Sequence, residues 1–419
     1  MKTLIIAFFA LSSNLLIAQQ WFDISVPTTY KLNDIDFPTS TTGYIVGDST
    51  IILKSIDGGE SWVELSPIGL SNSAFSDRIV DVDFVNDQVG FITILNDNSG
   101  VYKTVDGGIN WTPASNPNSN MCYKRCTYVI DEFDYFVGGA GCFYSASIER
   151  FTDPDWDVST VNYQSFNTSE QVVDIDFNNG VGIAAIRGEY FLRSIDGGAF
   201  WDSIPSGLMS PSYLTSVMFV SADTVYAGLS DNGTGGVSSF LISTDTGLTW
   251  SQVNLGNFIY PAFQALGKSN NGDVYLGGKV NWNNQGALFK ISNGVAGNIE
   301  LVDHPINGIA SYGQDITFGV GDSGYVVVNT NLTSLGLNDE DYFYPINIYP
   351  NPTSDFMTVE NEFNKNVVYN LVDLNGKVLV EDIVATNGTI IDISRLETGI
   401  YYLKPTENQF NTVHKIMKL

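Results

Sequence analysis

SIDGGESW, residues 55–62, is the stretch from which the rest of the chain can be read. Its frame, Ser/Thr-x-Asp-x-Gly-x-x-Trp, returns as TVDGGINW at 104–111, SIDGGAFW at 194–201 and STDTGLTW at 243–250. A tight turn needs glycine where φ is positive, an aspartate that accepts backbone N–H bonds within the turn, and an aromatic side chain packed beneath it. The frame supplies all three, so Asp57, Asp106, Asp196 and Asp245, with Trp62, Trp111, Trp201 and Trp250, are expected to be structural turn residues. Trp62 to Trp111 spans 49 residues, Trp111 to Trp201 spans 90, and Trp201 to Trp250 spans 49. The long interval holds a decayed copy, FTDPDWD, whose Trp156 stands 45 residues from either neighbour. Two further copies without tryptophan align near 292–298 and near Asn329.

Each copy is preceded by a strand-turn-strand pattern, as in NDIDFPTSTTGYIVGDSTIILKS, VDVDFVNDQVGFITI and VDIDFNNGVGIAAIRGEYFLRS. Alternation puts Ile35 and Phe37 on one face of the first strand and Asp34 and Asp36 on the other. Looser copies begin at Thr127, Ser216, Gln264 and Gly308, giving seven units of about four strands. A period of this length with several short strands per unit predicts an all-β chain, a seven-bladed β-propeller. The N-terminal WFDIS, 21–25, lacks a front half and is expected to supply the last strand of blade seven. The boxes resemble the Asp-box or bacterial neuraminidase repeat family, whose members are β-propellers. Sialidases, sortilin-type receptors, xyloglucanases and photosystem assembly factors share the box, so it speaks for the fold more than for the activity. In repeat style the chain is most similar to the photosystem II assembly factor-like branch, which implies protein binding.

The 419 residues carry 46 acidic and 19 basic side chains, a formal charge of −27 that repels phosphate backbones and excludes nucleic acid as a partner. Residues 1–18, MKTLIIAFFALSSNLLIA, read as a secretory signal with cleavage expected after Ala18, and no other stretch is long and apolar enough to span a bilayer. The repeat stops near Leu335. The predicted organisation is a propeller over 19–334, a linker over 335–343 and a small antiparallel β-sandwich over 344–419. The final segment carries YPNPTSD at 349–355, VDLNGKVL at 372–379, LETGIYYLK at 396–404 and a terminal KIMKL. These motifs closely resemble the type A sorting domain of the type IX secretion system of Bacteroidetes. The resemblance implies recognition by that machinery, passage through the outer membrane, and an extracellular or cell-surface destination.

Candidate chemistry is sparse. The two histidines, His304 and His414, stand alone, which argues against catalytic triads and His-based zinc sites. A sialidase would need an arginine triad, and Arg78, Arg125, Arg150, Arg187 and Arg193 are the only arginines of the propeller. Arg193 also occupies the pre-box position held by Lys54 and Lys103. The pairs Asp34/Asp36, Asp81/Asp83 and Asp174/Asp176 would suit a glycoside hydrolase, the alternative to a non-catalytic binding protein, but they recur at one repeat position as structural residues do. Were the inner strands to line the channel, Asp36, Asp83 and Asp176 would form a partial acidic ring able to hold Ca²⁺ or a cationic group. Two long loops, 229–239 and 277–287, are candidate binding segments, with Trp282 in the second expected to be exposed for a glycan or protein partner. A hairpin of 127–130 with 135–139 would bring Cys122 almost opposite Cys142, making this pair the expected disulfide of an exported chain and leaving Cys126 free.

Overall fold

The computed structural model describes residues 21–418 apart from 71–76, 96–99, 115–120, 143–144, 153–161, 166–169, 209–211, 232–237, 257–261, 281–284, 293, 313–315, 331–346, 350, 352, 361–366, 373–376, 386–387, 397 and 407–413. The signal segment, Trp156 and Trp282 therefore lie outside the described residues. Contacts divide the chain into two units, with the break between Asn331 and Leu332.

Among the described residues the first unit pairs as five four-stranded antiparallel sheets and one eight-stranded sheet over 212–302, in which two further four-stranded meanders meet through the single Ser230–Ala262 pairing. Their inner strands are Leu32–Asp36, Arg78–Phe84, Met121–Val129, Val172–Asn178, Ser212–Phe219, Ala262–Lys268 and Ile306–Tyr312. Each inner strand lies against the next, and the seventh lies against the first, so together they enclose a central channel. Trp21–Asp23 pairs with residues 327–329, so the seventh blade is completed by chain from both ends of the unit.

Local sequence explains the blade. The second strands, such as Gly43–Gly47 and Gly90–Leu95, are buried along their whole length because a neighbouring blade covers each face. Their leading glycines seat the phenylalanine that ends the inner strand. A Cβ on Gly43 would stand 2.5 Å from the Phe37 ring, and one on Gly90 would stand 2.3 Å from Phe84. The core is divided among the seams between blades. At the first seam Tyr44, Val46 and Ile52 meet Ile79, Val82, Phe84 and Trp111, and the Tyr44 and Phe84 rings stack 3.6 Å apart.

Every inner strand contains a β-bulge, at Asn33, Val80, Arg125, Val173, Thr215, Gln264 and Asn307. The bulged residue reaches for the following blade: Asn33 donates to the Ile79 carbonyl (2.8 Å), Thr215 to that of Phe263 (2.5 Å), and Asn307 to that of Leu32 (2.8 Å). These are equivalent positions, so the third bond joins the last blade to the first.

At four seams the box closes the other end. Ser55 Oγ accepts the Gly59 N–H (2.8 Å) and donates to Asp57 Oδ1 (2.7 Å), which accepts the Ser61 N–H (3.0 Å). The same bonds form around Asp106, Asp196 and Asp245. The fourth box residue is left-handed in every copy, with φ of 75° at Gly58, 70° at Gly107, 71° at Gly197 and 57° at Thr246. Its carbonyl accepts a bond from the preceding blade: Tyr312 Oη to Gly58 (2.6 Å), Lys54 Nζ to Gly107 (3.0 Å), Arg150 to Gly197 (3.0 Å) and Arg193 Nε to Thr246 (2.7 Å). Blade three has lost its box, but Lys103 still reaches it, donating to the carbonyl and carboxylate of Glu132 (3.1 and 2.8 Å).

Among its described residues the second unit has two antiparallel sheets. Asn347–Tyr349, Phe356–Glu360 and Thr389–Asp392 form one; Val378–Ala385, Val367–Val372, Gly399–Pro405 and His414–Lys418 form the other. Met357, Val359, Tyr369, Leu371, Leu403 and Ile416 build their common core.

Two substitutions test the seams. Trp111→Ala removes a side chain with 2% exposure and is expected to cost about 3–5 kcal/mol in urea unfolding. Arg193→Met, which keeps the aliphatic stem but removes the bonds to Thr246, is expected to cost about 1.5–3 kcal/mol.

Candidate functional site

The paired aspartates of the inner strands bind the next blade. Asp34 and Asp36 accept the N–H groups of Val82 (3.0 Å) and Phe84 (2.8 Å). Asp81 and Asp83 do the same for Thr127 (2.8 Å) and Val129 (2.9 Å), and Asp174 and Asp176 for Val217 (2.8 Å) and Phe219 (2.6 Å). Blades with Cys126/Tyr128, Ser216/Met218, Ala265/Gly267 or Gly308/Ala310 at these two positions lack the carboxylates. The six acids influence one another across the channel: Asp34 feels Asp81, and Asp83 feels Asp36 and Asp176. Burial is the largest effect on each, raising Asp174 to about 8 and Asp36, Asp81 and Asp176 to about 6, with Asp34 and Asp83 also well above the ordinary range. Asp36, Asp83 and Asp176 thus share one level of the channel, each with an oxygen committed to a seam. Among the described residues no group of three or more His, Cys, Asp or Glu side chains is placed to hold a metal ion.

A different cluster stands where the inner strands begin. Arg78 opens the strand of blade two, Arg125 is the bulged residue of blade three, and Arg187 follows the second strand of blade four, Val181–Ile186. Gln171 organises the last two: its Oε1 accepts from Arg125 Nε (2.8 Å) and its carbonyl accepts from the Arg187 backbone N–H (2.8 Å). The Arg187 guanidinium lies 5.0 Å from the centre of the Tyr213 ring. Burial, and then the charges of Arg187 and Arg78, push the Arg125 guanidinium below its usual value, so both of these cations act on Arg125. None of the ion pairs among the described residues includes them. Such a mouth is suited to carboxylates, for which guanidinium offers a two-pronged donor.

The same mouth carries the disulfide. Cys122 and Cys142 are bonded, with Cα atoms 4.7 Å apart, and both are exposed, while Cys126 is a buried free thiol. Beside them an unusual pair is buried in the seam between blades two and three: Lys124, at a position that is Leu32, Ile79 or Leu214 in other blades, and Glu149, where other blades have Leu53 or Leu192. Lys124 Nζ donates to the Met121 carbonyl (2.9 Å), and the charge of Glu149 opposes the lowering of Lys124 by burial. Sequence reasoning did not find the arginine mouth. Its members are separated by 47 and 62 residues, and only the repeat register, which places each near a strand end, pointed to their meeting.

A ring of inner strands with outward-running meanders defines the class of the first unit: it is a β-propeller. In sequence and fold this propeller is similar to photosystem II assembly factors. Residues 13–74 match the family model of the photosynthesis system II assembly factor YCF48, and residues 347–419 match that of the secretion system C-terminal sorting domain. The photosystem II assembly lipoprotein Ycf48 of Nostoc sp. (strain PCC 7120) is 24% identical over 277 residues, covering 55% of this chain and 76% of that protein. Among solved structures, YCF48 bound to D1 peptide superposes with a TM-score of 0.56 at 17% identity, covering 74% of this chain and 97% of its own. YCF48 from Cyanidioschyzon merolae gives 0.55 at 15% identity over 74% and 98%. The WD40 propeller domain of Doa1 gives 0.53 at 10% over 75% and 96%, so at this level the likeness describes the fold. The sorting domain marks the chain for export by the type IX secretion system.

Because the seam carboxyls hold protons more tightly folded than unfolded, where aspartate titrates near about 3.9, the folded state gains protons as pH falls from about 8 toward 4. Their contribution to stability therefore grows as pH falls through that window and is lost as pH rises through the folded values. The melting temperature is expected to rise between pH 8 and pH 5, and Asp174→Asn is expected to flatten the upper part of that profile. Replacing Cys122 and Cys142 by serine is expected to cost about 3 kcal/mol, as closure of a loop of this length predicts.

Proposed function

We propose that this chain is an exported, non-catalytic propeller that binds a carboxylate-bearing stretch of another polypeptide at the arginine mouth. The observation that carries the reading is the convergence of Arg78, Arg125 and Arg187, without ion-pair partners among the described residues, in a molecule whose formal charge is −27. A chain with such an excess of acid holds three cations together only against its own average, and a ligand carboxylate would offset their repulsion. The Tyr213 ring beside Arg187 and the exposed Tyr123 offer apolar contact next to the charge. The peptide-bound state of a YCF48 propeller supports the choice of a polypeptide ligand. In this reading Asp36, Asp83 and Asp176 serve the seams, and the terminal unit over 344–419 is the export address, removed as the propeller is released or attached at the cell surface.

A fluorescein-labelled tetraglutamate peptide is a suitable probe. Anisotropy titrations are expected to show binding that weakens as salt rises, and Arg78→Gln with Arg187→Gln is expected to weaken it at least tenfold without lowering the melting temperature appreciably. Binding unaffected by both changes would remove the mouth from the reading. Deleting 344–419 is expected to leave the protein in the periplasm, checked by cell fractionation.

A further inference from the structure

Blade three differs from the other six at the mouth. All inner strands share the bulge that Arg125 occupies here, but this strand has a second one three residues earlier, at Cys122, with register shifts on both sides of the Tyr123–Lys124 pair. A bulge leaves its extra residue out of the ladder and lets the local twist change, so two in close succession weaken the control that pairing exerts on the second. The bridge from Cys122 to Cys142 ties the first bulge across the hairpin, next to the end of the partner strand Tyr135–Gly141. The Arg125 side chain donates from Nε to Gln171 Oε1 (2.8 Å).

We propose that the Cys122–Cys142 disulfide is a redox control on the arginine mouth, holding Arg125 in line with Arg78 and Arg187 when closed and releasing it when reduced. The inference rests on the reading of the mouth as a carboxylate site. Both sulfurs belong to exposed residues, so a small dithiol reaches them, while Cys126 is buried and takes no part. In the reducing step one thiolate of the dithiol attacks a cystine sulfur and the S–S bond breaks. The second thiol then resolves the mixed disulfide, so the dithiol is oxidised to its cyclic disulfide while Cys122 and Cys142 each gain one electron and one proton. The chain is exported from a reducing compartment, so the mouth becomes competent once the thiols are oxidised beyond it.

The labelled tetraglutamate probe is titrated against the oxidised exported protein, the protein reduced with dithiothreitol, and the Cys122→Ser/Cys142→Ser variant. Near-ultraviolet circular dichroism at a temperature well below unfolding checks that each is folded. The expected result is a loss of affinity of about tenfold on reduction and in the double-serine variant, with reoxidation restoring only the reduced wild type. In Arg125→Gln, affinity is expected to be low from the start and indifferent to reduction. Equal binding by oxidised, reduced and double-serine proteins overturns the redox control and leaves the carboxylate site standing. Failure of the oxidised protein to bind overturns the site itself. A double-serine protein that does not fold is replaced by the reduced wild type, whose affinity alone then decides.

Discussion

The carbonyl of the fourth box residue is the point on which the propeller turns. A left-handed backbone there, at Gly58, Gly107, Gly197 and even Thr246, aims that carbonyl sideways at the preceding blade, where a lysine, an arginine or a tyrosine takes it. Glycine is suited to the position because it adopts positive φ without the clash a Cβ brings. Thr246 does so too, and its hydroxyl gives Arg193 a second acceptor at 2.8 Å. The box is therefore more than a hairpin end. It is a socket, and its plug is a side chain of the preceding blade, a pre-box cation at Gly107, Gly197 and Thr246 and a tyrosine at Gly58.

Four of the seams are thus held at both ends, by the box on one side and by the inner strand on the other. Where the inner strand carries Asp-x-Asp, the carboxylates take two N–H groups of the next strand; a bulged amide or hydroxyl donates to a carbonyl of the next strand at Asn33, Thr215 and Asn307, the first of them in a blade that also carries the aspartates. The two devices are complementary in sign, one supplying acceptors and the other donors. Placing acids in the channel costs desolvation, visible in the raised value of Asp174, and the N–H bonds offset part of it.

Much of this was legible from residues alone. The spacing of Trp62, Trp111, Trp201 and Trp250 carried the repeat, and the alternation of Ile35 and Phe37 against Asp34 and Asp36 carried the inner strand. The recurrence of Asp-x-Asp spoke for a structural role, and the presence of Lys54, Lys103 and Arg193 at one pre-box position was already a sign of a shared task. What those cations touch was not legible, because each partner lies about one blade further along the chain.

The sequence by itself determined the period, the turns, the strand faces and the export tail, since all of these are set by local chemistry: glycine where φ must be positive, apolar residues at alternate positions, and short motifs near the C-terminus. Only the tertiary structure decided which side chains meet. Ring closure brings Asn307 to Leu32, 275 residues away, and curls Arg78, Arg125 and Arg187 around one end of a channel. Such meetings depend on how many blades intervene and how each is rotated, quantities that no single stretch of chain encodes.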